Sequence, residues 1–546
     1  MWLNRCFPIS VMPLTQRASL VLRELLVGVV LTVVALTVPA IAAERVELSV
    51  DVSKTGAKID RNLFCQFAEH LGHGIYDGIW VGRDSTIPNT RGIRNDVIAA
   101  LRALEVPNVR WPGGCFADEY HWRNGIGPQR AVTLNPNWGG VSEPNTFGTR
   151  EFMDFLDQIG AEAYISINVG SGSPREAAEW LEYLTTAQPT TLANERTANG
   201  RPAPYNVGKR GIGNESWGCG GNMTPDYYLS QLKIYSRFVR NFNPAQQDNQ
   251  QMLKIAVGPG GEDTLEWADW TETIMKAYQH HDWSWDINGL SMHSYRVVGW
   301  PPSYASVGFG ETEYSQIFKA TLGMENLINK HSAIMDKYDP QKKVALIVDE
   351  WGAWYSPLPG SNPGFLVQQN SLRDAILAAI NLNIFARHAD RVRGANIAQM
   401  INVLQAMIMT DKEKMVLTST YYVFKMYVPL HDATFVPVAF DASAYTHDGI
   451  ALPRVDAIAA KDTAGKLWLE ITKLDPNQPI EIEASLAGTT AKSATGQTLT
   501  APGVDSVNSF DAPNAVVPRP VSAKIREGKL SLKLEPKSVT VISVEQ

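Results

Sequence analysis

Residues 344–352 read VALIVDEWG, in which five apolar residues are followed directly by two carboxylates. An apolar run of this length, with no polar residue on either face, is typical of a β-strand buried on both sides. Strands of this kind belong to parallel sheets covered by helices. Asp349 and Glu350 stand at the carboxyl end of the strand, the end at which active sites lie in such folds.

Seven further apolar runs recur along the chain and are separated by segments with helical periodicity. They are LFCQF (63–67), NVRW (108–111), AYISINV (163–169), RGIGN (210–214), LKIAVGP (253–259), INGLSMH (287–293) and GANIAQM (394–400). Strands alternating with helices predict an α/β protein with a parallel sheet, and eight such units predict a (β/α)8 TIM barrel. The alternative is an open doubly-wound sheet, but its first strand would be followed by a glycine fingerprint, which is missing.

Three of the intervening segments show clear helix signals. EFMDFLDQIG (151–160) has one apolar face and stops at a glycine, and SPREAAEWLEYL (173–184) begins with a capping serine. SLRDAILAAINLNIF (371–385) carries a broad apolar stripe that suits a helix packed on a sheet. Residues 186–208 lack a clear pattern and are predicted to form an irregular insertion.

The pattern changes near residue 428, after which short alternating strands are separated by turn residues such as DPNQP. This predicts an antiparallel β-sandwich over 428–546, following a barrel over 61–427. A strand at 46–52 has no partner in the barrel, so we expect residues 44–60 to join the sandwich.

The N-terminus resembles a secretory signal peptide. Arg17 and Arg23 precede the apolar run 25–38, which is followed by small residues up to Ala43. This pattern predicts a cleaved leader over 1–43 and a periplasmic or secreted protein with no membrane contact after cleavage. An uncleaved membrane anchor is the alternative, but the run is short for a span of roughly 20 residues.

Composition excludes several classes of protein. The hydrophobic fraction of 44% is that of a globular protein, and a formal charge of −7 argues against a nucleic-acid partner. The four cysteines show neither a disulfide framework nor zinc spacing. The histidines at 70, 73, 280 and 281 lack a third ligand at a suitable spacing, so we expect no metal and no other cofactor.

Polar residues stand at the carboxyl ends of seven of the eight predicted strands, which would converge at one mouth of the barrel. In chain order they are Glu69 and His70, Arg110 and Cys115, Asn168, Asn214 and Glu215, His293 and Tyr295, Asp349 and Glu350, and Gln399. Glu215 and Glu350 would then face each other across the mouth. Two carboxylates in a small pocket with hydroxyl-binding groups indicate glycoside hydrolysis.

The chemistry assigns the two carboxylates different tasks. Glu350, kept ionised by donors such as Arg110 and His293, attacks the anomeric carbon and forms a glycosyl-enzyme. Glu215 protonates the leaving oxygen and later activates water, and the negative charge of Glu350 favours its protonated form. Asn214 is suited to bind the sugar 2-hydroxyl.

Six ordered motifs closely resemble glycoside hydrolase family 51, chiefly retaining α-L-arabinofuranosidases with a (β/α)8 barrel and a β-sandwich. They are FAEHLGHGIYDGIW, VRWPGGCFADEYHW, GIGNESWGCGGNM, SMHSY, VDEWGAWY and NIAQMINVL, and they cover nearly the whole chain after the leader. The resemblance implies that Glu215 is the acid/base and Glu350 the nucleophile. It also implies sugar contacts from Glu69, Arg110, Cys115, Asn214, Tyr295 and Gln399, and His293 either binds the sugar or supports Glu350.

The predicted function is therefore an exo-acting enzyme that removes terminal α-L-arabinofuranosyl groups from plant arabinan, arabinoxylan and their oligosaccharides. The resemblance also implies a homo-oligomer, since many relatives are hexamers. A β-xylosidase or an endo-β-glucanase on the same barrel is the alternative enzyme. An inactive carbohydrate-binding protein is the alternative from another class, although the intact Glu215 and Glu350 speak against it.

Overall fold

The structure, a computed structural model, describes residues 45–243, 252–260 and 265–545. The predicted leader, 1–43, lies outside these ranges. Within them, no helix combines the length and the apolar character that a membrane span requires.

Eight parallel strands form a closed barrel in chain order, which confirms the predicted fold. The strand β1 (Arg45–Asp51) precedes the barrel strands β2 (Cys65–Phe67), β3 (Asn108–Trp111), β4 (Glu162–Ile167), β5 (Val207–Ile212), β6 (Leu253–Ala256), β7 (Gly289–Arg296), β8 (Ala345–Ala353) and β9 (Val392–Ile397). Each barrel strand pairs with the next, and β9 closes the barrel against β2. Tyr164, Ile255, Ala345 and Ile347, from the alternate strands β4, β6 and β8, pack together, as in a filled barrel.

The helices are α1 (Asn95–Ala103), α2 (Thr149–Ile159), α3 (Pro174–Thr185), α4 (Thr191–Ala198), α5 (Pro225–Phe238), α6 (Leu265–Gln279), α7 (Glu311–Tyr338), α8 (Leu372–Arg387) and α9 (Ser419–Tyr427). α2 ends because Gly160 adopts a left-handed φ of 78°, which glycine reaches without strain. The prediction of an irregular insertion over 186–208 is wrong, because Thr190 caps α4 by accepting the Ala193 N–H at 3.3 Å.

The broad apolar stripe of α8 has a structural reason. All residues from Leu372 to Ala386 are buried, because the helix lies between barrel strand β8 and strands of the C-terminal sheet. The prediction of a helix packed on a sheet is therefore confirmed, and α8 packs on two sheets, the barrel and the C-terminal sheet.

Ten strands form the C-terminal sheet, and β1 is one of them, as predicted. The others are β10 (Thr434–Val436), β11 (Val438–Phe440), β12 (Val455–Lys461), β13 (Leu467–Lys473), β14 (Ile480–Ala487), β15 (Ser493–Leu499), β16 (Arg519–Arg526), β17 (Lys529–Leu534) and β18 (Ser538–Glu545). β1 buries Val46, Leu48 and Val50 in the core of this domain. It runs parallel to β14 and antiparallel to β11, so the sheet is not antiparallel throughout.

Four short hairpins complete the described strands. They are Asn89–Thr90 with Ile93–Arg94, Thr133–Asn135 with Val141–Glu143, Ile408–Asp411 with Lys414–Leu417, and Ala444–His447 with Ile450–Pro453. The second hairpin brings Trp138 to the mouth of the barrel.

Candidate active site

The carboxylate of Glu350 is held at both of its oxygens. Arg110, from β3, donates from Nη1 to Oε1 at 2.6 Å, and the Tyr295 hydroxyl, from β7, donates to Oε2 at 2.7 Å. Glu350 is only 5% exposed, and burying a charge without such donors would be costly. The predicted nucleophile is therefore a paired carboxylate that points into the barrel mouth.

Arg110 joins Glu350 to two other polar groups. Its Nη2 donates to Oδ1 of Asn214 at 2.6 Å, and its Nε lies 3.6 Å from Oδ2 of Asp349. The Tyr164 hydroxyl also donates to that Asp349 oxygen, at 2.6 Å. Burial lowers the pKa of Arg110, but the charges of Asp349 and Glu350 outweigh burial and hold this pKa above its usual value. Arg110 is thus a permanent cation at the centre of the site.

His293 bridges three carboxylates. Its Nδ1 lies 2.8 Å from Oε1 of Glu215 and 3.5 Å from Oε2 of Glu350, and its Nε2 lies 3.2 Å from Oδ1 of Asp349. Burial lowers the pKa of His293, whereas Glu350 and Asp349 raise it, and the net result is a pKa of about 10. The ring is an imidazolium at neutral pH, with both nitrogens as donors.

Glu215 and Glu350 approach each other as the sequence predicts. A carboxylate oxygen of Glu215 lies within 4.8 Å of one of Glu350. The Glu215 backbone has a φ of 38°, in the left-handed region. A residue without glycine's freedom costs of order 1–3 kcal/mol there, and such strain persists only where the surroundings enforce it.

Glu69 anchors the opposite wall of the pocket. Its Oε1 accepts the N–H groups of Gly114 and Phe116 at 3.0 and 3.1 Å and the indole N–H of Trp138 at 2.9 Å. Its Oε2 accepts Nε2 of Gln399 at 2.9 Å. Burial, together with the charge of Glu350, raises the pKa of Glu69 to about 7. Oε1 of Gln399 is buried without a protein partner among the described residues.

Cys115 forms a disulfide with Cys219, 104 residues further along the chain. The cysteine spacings predict no disulfide framework, and this prediction is wrong. The turn after β3 and the turn after β5 meet at the barrel mouth, which brings the two Cα atoms to 5.5 Å, within the range that a disulfide spans. Cys115 borders the pocket as a half-cystine, not as a thiol, while Cys65 is free and buried in β2.

The pocket combines polar groups with apolar walls. It is lined by Glu69, Leu71, Gly114, Cys115, Trp138, Glu215, Tyr295, Glu350, Trp354, Leu366, Gln399 and Leu404. Arg110, Asn214 and His293 are buried beneath these residues and reach the two central carboxylates or each other. All nine predicted site residues are therefore brought together at one mouth.

Trp217, Trp300, Trp351 and Trp354 hold different positions relative to the pocket. Trp354 lines the pocket, and the 67% exposed Trp300 packs edge-on against it at a ring distance of 5.4 Å. Trp351 is fully buried and Trp217 packs against Trp267, so neither lines the pocket. Trp138 does, although it lies in a hairpin loop without any sequence signal.

Metal-ligating atoms cluster twice among the described residues, both times in this pocket. One cluster is Cys115, Glu215 and Cys219, and the other is Glu215, His293 and Glu350. The sulfurs of the first are joined to each other, and His293 in the second is a cation. His70 is buried, with Nδ1 on Glu143 and Nε2 on the Trp111 indole, so it serves packing.

A (β/α)8 barrel with two close carboxylates, one of them held by an arginine and a tyrosine, defines a glycoside hydrolase. Comparison with known proteins agrees with this class. A model described as "Alpha-L-arabinofuranosidase 1 domain" matches residues 100–286, and one described as "Alpha-L-arabinofuranosidase C-terminal domain" matches 349–538.

Relatives and solved structures specify the family. An intracellular exo-α-L-arabinofuranosidase of Bacteroides ovatus is 44% identical over 89% of this chain and 93% of that protein. The GH51 arabinofuranosidase structure from Xanthomonas axonopodis pv. citri is 49% identical, with a TM-score of 0.88 over 92% of this chain and all of that one. An arabinose complex of the Thermotoga maritima α-L-arabinofuranosidase is 30% identical, with a TM-score of 0.77 over 92% of this chain and all of that one. The chain belongs to glycoside hydrolase family 51, the α-L-arabinofuranosidases.

The comparison also corrects the prediction of export. The Bacteroides ovatus relative is named an intracellular enzyme, which contradicts a periplasmic or secreted location. The expectation rested on arginines followed by the apolar run 25–38. Charge and hydropathy over so short a segment are not specific to export signals, and the segment lies outside the described residues.

Proposed function

We propose that the protein is a retaining, exo-acting α-L-arabinofuranosidase that releases terminal α-L-arabinofuranosyl groups from arabinan, arabinoxylan and arabino-oligosaccharides. The observation that carries the mechanism is the approach of Glu215 and Glu350 to within 4.8 Å. Retention by double displacement requires carboxyl groups about 5–5.5 Å apart, whereas inversion needs about 6.5–9.5 Å to admit a water molecule. The name of the Bacteroides ovatus relative supports exo action.

Glu350 acts as the nucleophile. Arg110 and Tyr295 donate to its two oxygens and aim it at the pocket, so one of these oxygens bonds to the anomeric carbon while the bond to the leaving oxygen breaks. The product is an ester between Glu350 and the sugar. The negative charge of Glu350 is consumed in this step.

Glu215 acts as the acid and then as the base. Its Oε1 is held by His293, whereas its Oε2 lies 3.6 Å from the Cys219 sulfur, which carries no hydrogen and so donates no hydrogen bond. Oε2 is therefore the oxygen that carries the proton to the leaving group. In the second step Glu215 takes a proton from water, which attacks the same carbon and frees Glu350.

Three further groups are placed to bind the sugar. Oδ1 of Asn214 accepts from Arg110, which turns its Nδ2 toward the Cys115–Cys219 side of the pocket as a donor for the 2-hydroxyl. Oε1 of Gln399 is an acceptor without a protein partner among the described residues, and Glu69 holds that amide in place. Cys115 borders the same space and contacts the sugar through its disulfide sulfur.

Product stereochemistry tests the mechanism. Proton NMR during hydrolysis of an aryl α-L-arabinofuranoside should show the α-anomer of arabinose first, and the β-anomer appearing first would overturn the double displacement. Glu350→Ala should abolish turnover with the fold intact, so a fully active variant would disprove the nucleophile assignment. Glu215→Ala should slow substrates with poor leaving groups far more than activated aryl substrates.

Relative rates on two aryl glycosides test the substrate class. We expect the α-L-arabinofuranoside to be hydrolysed much faster than the β-D-xylopyranoside, and the reverse preference would favour a β-xylosidase. A bifunctional glucanase-xylanase has the same fold at a TM-score of 0.60, but at 14% identity it supports the fold alone. The homo-oligomer implied by the family resemblance is part of this proposal and is tested by sedimentation.

A further inference from the structure

Asp118 lies in the turn after β3, and none of its hydrogen bonds goes to Glu350, Arg110 or Tyr295. It is 2% exposed. Its Oδ1 accepts the backbone N–H groups of Val169 and Gly170 at 2.7 and 2.8 Å, and its Oδ2 accepts the N–H of Asn214 at 2.9 Å. One carboxylate thus ties the turn after β3 to the carboxyl ends of β4 and β5.

The backbone that Asp118 holds leads directly into Glu215. Glu215 has the left-handed φ of 38°, and its carbonyl accepts the N–H groups of Gly218 and Gly220 at 2.7 and 3.1 Å. The turn is therefore fixed on its far side by its own loop. On the near side it is fixed by the bond from the Asn214 N–H to Asp118.

The turn at Asn214 and Glu215 is closely packed against Gly220 and Asp118. A Cβ atom on Gly220 would lie 1.7 Å from the Asn214 carbonyl oxygen and 2.6 Å from Oδ2 of Asp118. No side chain and no water molecule fits between these groups. Asp118 is therefore in direct contact with the Gly213–Asn214 peptide, one residue before Glu215.

Ionisation of Asp118 follows from its partners. Burial raises the pKa of Asp118, the three N–H donors and the charge of Arg110 lower it, and the net result is a pKa of about 7. Three donors on two oxygens match a carboxylate, because a protonated carboxyl group would direct its own hydrogen at one of them.

We propose that Asp118 is a positioning residue. By accepting the backbone N–H of Asn214, it sets the orientation of the adjoining Glu215. The inference rests on the proposed acid/base role of Glu215. The efficiency of proton transfer then depends on Asp118, a carboxylate that does not touch the substrate.

Asp118→Asn is the test variant. Two N–H groups face Oδ1 and one faces Oδ2, so the amide oxygen takes the Oδ1 place and the amide NH2 group faces the Asn214 N–H. This replaces one hydrogen bond by two opposed donors with almost no change in volume. We expect kcat/KM to fall about 100-fold for an alkyl arabinofuranoside or a phenyl one, as a misplacement of about 1 Å can cause. For a dinitrophenyl arabinofuranoside, which needs little protonation, the loss should be at least about tenfold smaller, because only the Asn214 contact with the sugar is then disturbed.

Asp339→Asn is the matched control. Asp339 is also buried and its Oδ2 also accepts a backbone N–H, that of Val344 at 2.8 Å, but it lies before β8 at the opposite end of the barrel. This variant should lose stability without any dependence of the rate on the leaving group. Asp118→Glu, which keeps the charge and shifts it by one methylene, serves as the second variant if Asp118→Asn does not fold.

The double variant Asp118→Asn/Glu215→Ala separates the two claims. If Asp118 acts through Glu215, adding Asp118→Asn to Glu215→Ala leaves the dependence on the leaving group unchanged. A uniform loss across leaving groups in Asp118→Asn, with a strong dependence in Glu215→Ala, would overturn the positioning role alone. An equal loss on all substrates in Glu215→Ala would instead overturn the proposed function of Glu215.

Discussion

Replacing Arg110 by lysine tests whether the site depends on the geometry of this cation or only on its charge. The guanidinium donates at once to Oε1 of Glu350 and to Oδ1 of Asn214, both at 2.6 Å. Lysine keeps the positive charge but offers a single nitrogen on a flexible stem, so it cannot span both acceptors in that fixed geometry. At least one of the two hydrogen bonds is lost.

The size of the effect follows from the bond that is lost. A hydrogen bond to a charged group contributes about 1.5–3 kcal/mol, and about 1.4 kcal/mol corresponds to a tenfold change in rate. Because Glu350 and Asn214 both act next to the anomeric carbon, we expect kcat/KM of Arg110→Lys to fall about 10- to 100-fold. The fall should appear mainly in kcat, since both bonds orient groups for the reacting centre.

The assay measures kcat and KM on an aryl α-L-arabinofuranoside, with unfolding in urea as the measure of stability. Arg391→Lys is the matched control, because Arg391 is 1% exposed and donates to Asp339 at 3.0 Å. It immediately precedes β9, at the barrel end opposite the pocket, so this variant should lose stability and keep its kcat. An Arg110→Lys enzyme within threefold of wild type would refute the argument, and so would an equal loss of kcat in Arg391→Lys.

Three further predictions concern pH and the disulfide. The pKa of His293, about 10, lies above its usual 6.5 because of Glu350 and Asp349, against the opposing effect of burial. In urea titrations, the free energy of unfolding of wild type should exceed that of His293→Gln by its full margin below about pH 6.5. This margin should disappear as the pH rises through 10. Burial raises the pKa of Glu470 to about 8. At about pH 9 the free energy of unfolding of Glu470→Gln should therefore exceed that of wild type, and at about pH 4 this gain should be absent. Reducing Cys115–Cys219 with a phosphine should lower the free energy of unfolding by about 4.7 kcal/mol, the loop-closure value for about 100 residues; an unchanged urea midpoint would contradict this.

Much of the architecture follows from local patterns in the sequence. The apolar run 344–348 is buried throughout, and the eight predicted runs all contribute strands to the barrel. Glu215 and Glu350 were predicted as a pair because parallel strands in a barrel end at the same face. The side-chain periodicity of strands and helices is a property of a few consecutive residues, so it is legible without tertiary contacts.

Other features depend on which loops meet when the barrel closes. The Cys115–Cys219 bond joins turns that are 104 residues apart, and Trp138 reaches Glu69 from a hairpin with no strong pattern of its own. The role of Asp118 depends on two backbone N–H groups at the end of β4 and one after β5.

The sequence by itself thus determined the barrel, the membership of β1 in the C-terminal sheet, and the identity of the two central carboxylates. Only the tertiary structure decided that Tyr295 donates to Glu350, that His293 bridges Asp349 as well as Glu215 and Glu350, and that Cys115 is not a thiol. The reason is physical. Burial and periodicity are set by neighbouring residues, whereas hydrogen bonds and charge pairs across the barrel mouth depend on distances that exist only after all eight strands have closed.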